Sequence, residues 1–246
     1  TLTCSSGASD VYKGRVYMGI GDVEVACASP GTLVSLKGGV LHTYPLAGTC
    51  PRCQTPVQDA ELVAALLADE KELAEHDMLV DLGRNDLGKI SAFGSVTVEE
   101  YRGIKQFSHV SHIASRVSGR IGKEYDALDA VGAVLPAGTL SGAPKKRAME
   151  IIDEMEGTRR GLYGGAIGYL DFAGNLDLCI GIRMVVRKDN RVYVQSGGGV
   201  VADSVPEQEY TETKRKAQAV MDALNRAQNG AGGTDTRIGQ NKRGRF

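Results

Sequence analysis

Very short turns between apolar segments in the C-terminal half of this 246-residue chain constrain its fold most strongly. Strand-like segments over residues 164–172, 176–186 and 191–196 are separated only by a Gly-Asn turn at 174–175 and by Lys-Asp-Asn at 188–190. Strands joined by so few residues pair antiparallel, because a parallel pair needs a crossover of about a dozen residues or more. The pattern therefore predicts an antiparallel meander.

Alternating apolar residues and Gly breaks predict further short strands nearer the N-terminus, at 16–18, 23–26, 33–36 and 40–44. Thr55-Pro-Val-Gln58 is a capping box with Pro at the first helical position, and it predicts a helix to about Met78. Residues 81–94 are polar and indicate turns, and helices are predicted around 105–120 and 126–133.

Two more helices are predicted downstream. Ser141 is expected to cap the first, with Pro144 in its first turn and an apolar stripe at Met149, Ile152 and Met155. A second capping box, Ser204–Glu207, opens a helix whose stripe comprises Tyr210, Ala217, Val220, Met221 and Leu224.

The order of strands, helices, strands and helix predicts an α+β fold of antiparallel β-sheets flanked by helices. We expect one domain over residues 1–227. Residues 228–246 are rich in Gly, Asn, Gln and Arg and are predicted to be a disordered tail.

Charge and hydropathy exclude several function classes. The 29 basic and 30 acidic residues give no basic footprint for nucleic acid. No apolar run approaches the ~20 residues of a membrane span, and no secretory signal is visible, so we expect a cytoplasmic protein. The first residue is Thr rather than Met, which suggests a fragment.

Five irregularly spaced cysteines do not indicate a disulfide framework, and Cys50-Pro-Arg-Cys53 lacks the second ligand pair of a zinc site.

The most informative segment is Pro136–Arg160, which contains Gly-Thr-Leu-Ser-Gly-Ala-Pro. Together with seven other ordered segments it resembles the chorismate-utilising enzymes, and most closely their anthranilate synthase component I branch. The other segments are 45–49, 69–88, 110–115, 160–165, 179–183, 195–201 and 203–216. The resemblance covers roughly residues 28–226 and implies the chorismate-binding fold, truncated at its N-terminus.

The resemblance implies a lyase of tryptophan biosynthesis that converts chorismate and ammonia to anthranilate and pyruvate. It implies Mg²⁺ as cofactor, held by Glu75 and Glu212, and such paired carboxylates suit that ion. A glutamine amidotransferase subunit is the implied partner and source of ammonia.

The same resemblance assigns roles to other residues. Tyr163 and Arg183 would hold the enolpyruvyl carboxylate, since a guanidinium can bind a carboxylate bidentately. Gly197 and Gly199, with Lys216 nearby, would hold the ring carboxylate. His112 would be the acid/base group. We expect His112 on a helix and Arg183 inside a strand.

The residue types at Ala47 and Thr139 distinguish between branches of the family. Ala47 stands where aminodeoxychorismate synthases often carry a nucleophilic lysine, and Thr139 resembles the aminating enzymes rather than the isochorismate synthases. Both residues therefore favour anthranilate formation over the aminodeoxychorismate or isochorismate synthase alternative.

Three departures from the family pattern precede residue 54. Gly31 replaces the Glu of Ser-Pro-Glu, an expected general acid, and Cys50 and Cys53 replace an arginine and a glycine. Glycine has no proton to donate, and loss of a general acid typically costs ~10²–10⁴ in rate. A non-catalytic fragment that binds chorismate or the glutaminase subunit therefore stays open as an alternative.

Overall fold

The computed structural model describes residues 15–53, 55–106, 110–202 and 204–230. The strands in these ranges are β1 (Arg15–Ile20), β2 (Val23–Ala28), β3 (Thr32–Lys37), β4 (Val40–Thr43), β5 (Leu46–Pro51), β6 (Thr97–Gln106), β7 (Val110–Arg120), β8 (Ala166–Leu170), β9 (Leu176–Ile180), β10 (Met184–Lys188) and β11 (Arg191–Val194). The helices are α1 (Pro56–Ala68), α2 (Glu70–Gly88), α3 (Ala127–Val134), α4 (Gly138–Ser141), α5 (Lys145–Met155) and α6 (Pro206–Gly230).

The described chain forms two compact units. The first unit comprises residues 15–30, 139–167 and the described parts of 180–230, and the second comprises the described parts of 31–138 and 168–179. A four-stranded sheet of order β1-β2-β10-β11 belongs to the first unit. A seven-stranded sheet is built mainly from the second. Eight strand pairs of the two sheets are antiparallel, and together with the helices they confirm the predicted α+β class.

Strand β7 is the second strand from one edge of the larger sheet, and it occupies most of the segment over 105–120 for which a helix was predicted. It pairs with β6 along one edge, and with β4 and β5 placed end to end along the other. Its side chains are buried almost without interruption, so the sequence lacks the clear alternation of a half-buried strand. A largely buried strand and a buried helix cannot be separated by periodicity alone, and the helix prediction was wrong for this reason.

Asp69 divides the predicted helix over 55–78 into two. Thr55 accepts a hydrogen bond from the Gln58 N–H at the start of α1, as predicted. Asp69 has an extended backbone conformation, which ends α1. The Asp69 carboxylate is the N-cap of α2 and accepts hydrogen bonds from the N–H groups of Lys71 and Glu72. Helix α2 then continues through most of the segment that was predicted to be turns.

The second unit's core forms where α1 and α2 pack on β5 and β7. Cys50, Leu66 and Ile113 form one buried cluster of this core. Helix α2 approaches the sheet closely at Gly83, where a Cβ would lie 2.9 Å from the Thr43 methyl group. This close approach fixes the height of α2 above the strands.

The C-terminal meander is confirmed except at one point. Turns at 171–175 and 188–191 join β8 to β9 and β10 to β11. The predicted strand over 176–186 is broken, because β9 and β10 belong to different sheets.

The later helices start differently from the predictions. Pro144 is the N-cap of α5 without a side-chain hydrogen bond, whereas Ser141 ends α4. Helix α6 extends to Gly230, past the predicted start of the tail, and residues 231–246 lie outside the described part. None of the described helices combines the length and hydropathy needed to cross a bilayer.

Candidate functional site

The predicted site residues fall into two groups, one in each unit. The second unit carries Glu75 and His112. The first unit carries the rest, namely Thr139, Tyr163, Arg183, Gly197, Gly199, Glu212 and Lys216.

Arg183 lies in the link between β9 and β10, not inside a strand as predicted. Its backbone adopts the left-handed conformation with a φ of 50°, which is uncommon for a residue with a Cβ. Its carbonyl accepts a hydrogen bond from the Ala28 N–H at 3.1 Å, so β2 holds the link in place. A residue with this strained backbone conformation persists only where the surrounding structure enforces it. The strain therefore marks Arg183 as a candidate functional residue.

The loop that carries Tyr163 packs directly on the link that carries Arg183. The Gly181 N–H donates to the Gly165 carbonyl, and the Gly164 N–H donates to the Gly181 carbonyl, both at 2.8 Å. A Cβ on Gly181 would lie 2.5 Å from the Leu162 carbonyl oxygen, closer than any side chain tolerates. Glycine at this position therefore brings the two candidate carboxylate-binding segments together.

Tyr163 also faces the glycine loop that follows β11. Its hydroxyl lies 3.2 Å from the position of a Cβ built on Gly197. Burial raises the pKa of Tyr163, and the positive charges of Arg160 and Arg183 oppose that rise. A neutral phenol beside a guanidinium and a loop without side chains can donate a hydrogen bond to a carboxylate.

Residues 197–199 form an exposed loop that is held against α6. The Ser196 hydroxyl donates to the Thr213 carbonyl at 2.7 Å, at the root of the loop. A Cβ on Gly198 would lie 3.3 Å from the Thr213 hydroxyl and 3.4 Å from a Glu209 carboxylate oxygen. The loop thus runs close beside the helix face that presents Glu209 and Glu212.

Glu212 and Lys216 form an ion pair on α6 with an N–O distance of 2.6 Å. Their spacing of four residues places them on the same face of the helix. The Glu212 side chain is 55% exposed, so its carboxylate stays accessible to solvent. An exposed ion pair of this kind contributes little to stability. The Glu212 carboxylate could therefore exchange the Lys216 ammonium for a metal ion at little energetic cost.

Thr139 is exposed on the short helix α4, and the residue after it is tied to a distant arginine. The Leu140 carbonyl accepts a hydrogen bond from Arg160 Nη1 at 2.5 Å. Arg160 was not among the predicted site residues, although it directly precedes the Gly-Leu-Tyr-Gly-Gly segment.

In the second unit, His112 stands on β7 opposite Thr49 of β5. Its Nδ1 lies 2.9 Å from the Thr49 hydroxyl and 3.2 Å from the Gly48 carbonyl oxygen. A bulge in β5 creates this arrangement, because Gly48 has a φ of 75° and the register shifts between Ala47 and Thr49. These two partners on Nδ1 orient the imidazole, the side chain that exchanges protons near neutral pH.

Glu75 is half-buried on α2, beside a polar network that the sequence analysis did not predict. The next residue, His76, is fully buried, and its Nε2 lies 2.6 Å from the Ser115 hydroxyl. That hydroxyl also accepts the Arg102 N–H at 3.0 Å. The Arg102 guanidinium binds both carboxylate oxygens of Asp77, at 3.0 and 2.5 Å.

This network holds α2 at the two residues that follow Glu75, His76 and Asp77. Hydrogen bonding to Arg102 holds the pKa of Asp77 below its usual range. The only sequence signal was the close spacing of acidic residues and histidine over 75–77.

No group of three or more His, Cys, Asp or Glu side chains in the described ranges is arranged to hold a metal. Mg²⁺ does not need such a cage, because it typically takes one or two carboxylates and keeps water or substrate oxygens. Carboxylates such as Glu75 and Glu212 therefore fit the chemistry of that ion.

The segment with the cysteine departures is well packed. Cys50 is buried in the core, and Cys53 is exposed. The Arg52 guanidinium binds the buried Asp59 carboxylate, with Nε and Nη2 at 2.8 and 2.7 Å from Oδ2. The four cysteines in the described part form no disulfide. Cys50 and Cys53, which replace the arginine and glycine of the family pattern, therefore lie in a folded segment.

Comparison with known proteins gives a consistent result. The family model for chorismate binding enzymes matches residues 13–222. Anthranilate synthase component 1 of Acetivibrio thermocellus is 53% identical over 211 residues, which are 86% of this chain and 43% of the relative. The protein of the same name from Mycolicibacterium smegmatis is 55% identical over 203 residues, which are 82% of this chain and 39% of the relative.

Solved structures agree with the sequence relatives. The crystal structure of anthranilate synthase component I from Streptococcus pneumoniae matches with a TM-score of 0.78 at 48% identity, over 84% of this chain and 45% of that one. A putative 2,3-dihydroxybenzoate-specific isochorismate synthase from Bacillus anthracis matches with a TM-score of 0.74 at 29% identity, over 85% and 57% of the two chains.

The chain spans less than half the length of the curated relatives described above. The family match nevertheless covers most of its described residues and contains every predicted site residue. This chain belongs to the chorismate-binding enzyme family.

Proposed function

We propose that this chain carries the chorismate site of an anthranilate synthase component I. It would convert chorismate and ammonia to anthranilate, pyruvate and water. A glutamine amidotransferase subunit would supply the ammonia, as in the tryptophan pathway. The sequence identity of about one half to proteins named anthranilate synthase component 1 supports this branch over the isochorismate synthases.

The cluster of Tyr163, Arg183 and the glycine loop is the observation that carries the proposal. Its cation, phenol and side-chain-free loop lie within one unit, so they can bind a carboxylate together. Chorismate has two carboxylates, and we assign the enolpyruvyl group to Tyr163 and Arg183. The ring carboxylate is assigned to Gly197 and Gly199 with Lys216.

The remaining residues would act on protons and on the choice of nucleophile. His112, oriented through Nδ1, would exchange a proton as the enolpyruvyl group leaves as pyruvate. Thr139 would favour ammonia over water as the group that adds to the ring. Glu75 and Glu212 would hold Mg²⁺, which when bound neutralises charge on the ring carboxylate and polarises the ring toward loss of the C4 hydroxyl.

A direct assay tests the proposal. The protein is incubated with chorismate, MgCl₂ and ammonium chloride, and anthranilate is followed by its fluorescence. We expect anthranilate and pyruvate in equal amounts, loss of both with EDTA, and recovery with added Mg²⁺. A product without anthranilate fluorescence would instead support an aminodeoxychorismate or isochorismate synthase.

Gly31 favours a second candidate function, which is chorismate binding without turnover. Glycine stands where the family pattern has the expected general acid, directly before β3. Isothermal titration with chorismate and Mg²⁺ separates the two candidates. Saturable binding with no product after prolonged incubation would favour the binding function.

A further inference from the structure

Arg160 connects two segments that carry predicted site residues. Its guanidinium donates from Nη1 to the Leu140 carbonyl at 2.5 Å, next to Thr139. Its own carbonyl accepts the Tyr163 N–H at 3.1 Å. The side chain of one residue thus holds the turn of Thr139, and its backbone holds the loop of Tyr163.

A second contact joins the same two segments. Gly164 has a φ of 79°, and a Cβ built on it would lie 3.5 Å from the Cβ of Leu140. Leu140 therefore packs on the backbone beside Tyr163, and Arg160 closes the arrangement from the other end.

Glu156, which caps the end of α5, fixes the Arg160 guanidinium. Its two carboxylate oxygens accept hydrogen bonds from Nη2 at 2.6 Å and Nε at 2.9 Å. Bidentate charge-assisted bonds of this kind restrict both distance and orientation. Hydrogen bonding to Arg160 also holds the pKa of Glu156 below its usual value, so the pair stays charged at neutral pH.

A simple helix-end ion pair does not account for this geometry. Such a pair would need only Glu156 and Arg160, four residues apart. Here the third nitrogen of the fork reaches a carbonyl twenty residues away in sequence, and the Arg160 side chain is only 25% exposed. The fork geometry is specific to arginine, because a lysine ammonium cannot hold both partners in one plane.

We propose that Arg160 is a positioning residue that fixes Thr139 relative to Tyr163. The inference rests on the proposed function, in which Tyr163 binds the enolpyruvyl carboxylate and Thr139 lies at the reacting ring. The inference adds Arg160 to the proposed site as a residue that contacts neither the substrate nor the metal ion.

The test compares Arg160→Gln with Arg159→Gln, the same substitution at the adjacent exposed arginine. Small misplacements of reacting groups typically cost up to about 10²-fold in rate. We therefore expect Arg160→Gln to lower kcat/KM for chorismate by about 10- to 100-fold. Arg160→Lys should recover little of the loss, and Arg159→Gln should stay within about twofold of the parent.

A double-mutant cycle with Thr139→Ala separates positioning from a general loss of stability. If Arg160 acts through Thr139, the double variant should be little worse than the more damaged single variant. Multiplicative losses would overturn the proposal, as would equal effects of the two arginine substitutions.

Amide hydrogen exchange tests the same inference without turnover. In Arg160→Gln, peptides that cover residues 138–142 and 161–166 should both exchange faster, while Arg159→Gln leaves them unchanged. Unchanged exchange in both peptides would reject the positioning role, even if the parent protein makes anthranilate. Faster exchange of both peptides in Arg160→Gln, combined with a parent protein that has no activity on chorismate, would instead retain the positioning role and reject the proposed function.

Discussion

His112 and Thr49 face each other across β7 and β5, with the imidazole Nδ1 2.9 Å from the threonine hydroxyl. The bulge at Gly48 places a carbonyl oxygen at 3.2 Å from the same nitrogen. The imidazole is therefore oriented by the sheet itself, and a proton donor that is fixed in this way needs no reorganisation during the reaction.

Replacement of Thr49 should weaken this orientation. Thr49→Val removes the hydroxyl at nearly constant volume, and we expect kcat to fall about fivefold because a single hydrogen bond is worth about 1 kcal/mol. Thr49→Ser should keep most of the activity. The measurement is kcat for anthranilate formation across the pH range.

Thr43→Val is the matched control for that loss, since the Thr43 hydroxyl donates to the Leu33 carbonyl elsewhere in the same sheet. A kcat for Thr49→Val that equals the value for Thr43→Val would contradict the orienting role of Thr49.

Gly181→Ala should separate the loops of Tyr163 and Arg183. A methyl group there would meet the Leu162 carbonyl oxygen at 2.5 Å, so the backbone must shift. We expect a higher KM for chorismate and a free energy of unfolding lower by about 2 kcal/mol or more. Chemical denaturation and steady-state kinetics measure the two effects.

Gly132→Ala provides the contrast for Gly181→Ala. Gly132 lies within α3 with open space around its Cβ position, so alanine there should stabilise the protein by about 0.5–1 kcal/mol. A neutral result at Gly181 would show that the close approach of the two loops is not required.

The sequence predicted the local turns of this fold better than its long-range breaks. Both hairpins around β8–β11 followed from turn residues, because such turns leave the chain one way to continue. The break at Arg183 did not follow from the sequence. An apolar run gives no sign that its two ends join different sheets, and the close approach at Gly181 that causes the break is a tertiary contact.

The site residues came from the family pattern rather than from periodicity. Glu75 lies among other acidic residues, and nothing local distinguishes it from a solvated helix charge. The buried partner of its neighbour His76 is Ser115, which is distant in sequence, and Arg160 reaches Leu140 in the same way. Contacts of this kind depend on the assembled fold, so a single sequence does not reveal them.

His76 should make the stability of the protein depend on pH. Burial lowers the pKa of its imidazole, an effect that Asp77 opposes and Arg102 reinforces. The unfolded chain therefore binds a proton near pH 6.5, while the native state does so only at lower pH. The free energy of unfolding should fall as pH drops below about 6.5, by at most about 1.4 kcal/mol per pH unit for this group.

Urea denaturation between pH 5 and 8 measures this slope. His76→Gln retains a group that can bond to the Ser115 hydroxyl but does not titrate, so it should flatten the slope. His42→Gln, at a histidine 3.8 Å from Glu99, is the control and should not flatten it. A slope that is unchanged in His76→Gln would exclude this histidine as the source.

Gly31→Glu tests whether the missing carboxyl group limits turnover. If departure of the C4 hydroxyl needs a proton from this position, the glutamate variant should form anthranilate faster than the parent by about 10²–10⁴-fold. Gly31→Gln matches the size and polarity of glutamate but cannot serve as an acid, so it should leave the rate near that of the parent. Equal rates of anthranilate formation in the two variants would mean that any gain in rate comes from packing rather than from proton transfer.

No gain in rate in either variant would mean that another group protonates the leaving hydroxyl. Affinity for chorismate should change little in both variants, because the residues assigned to its carboxylates lie elsewhere in the sequence.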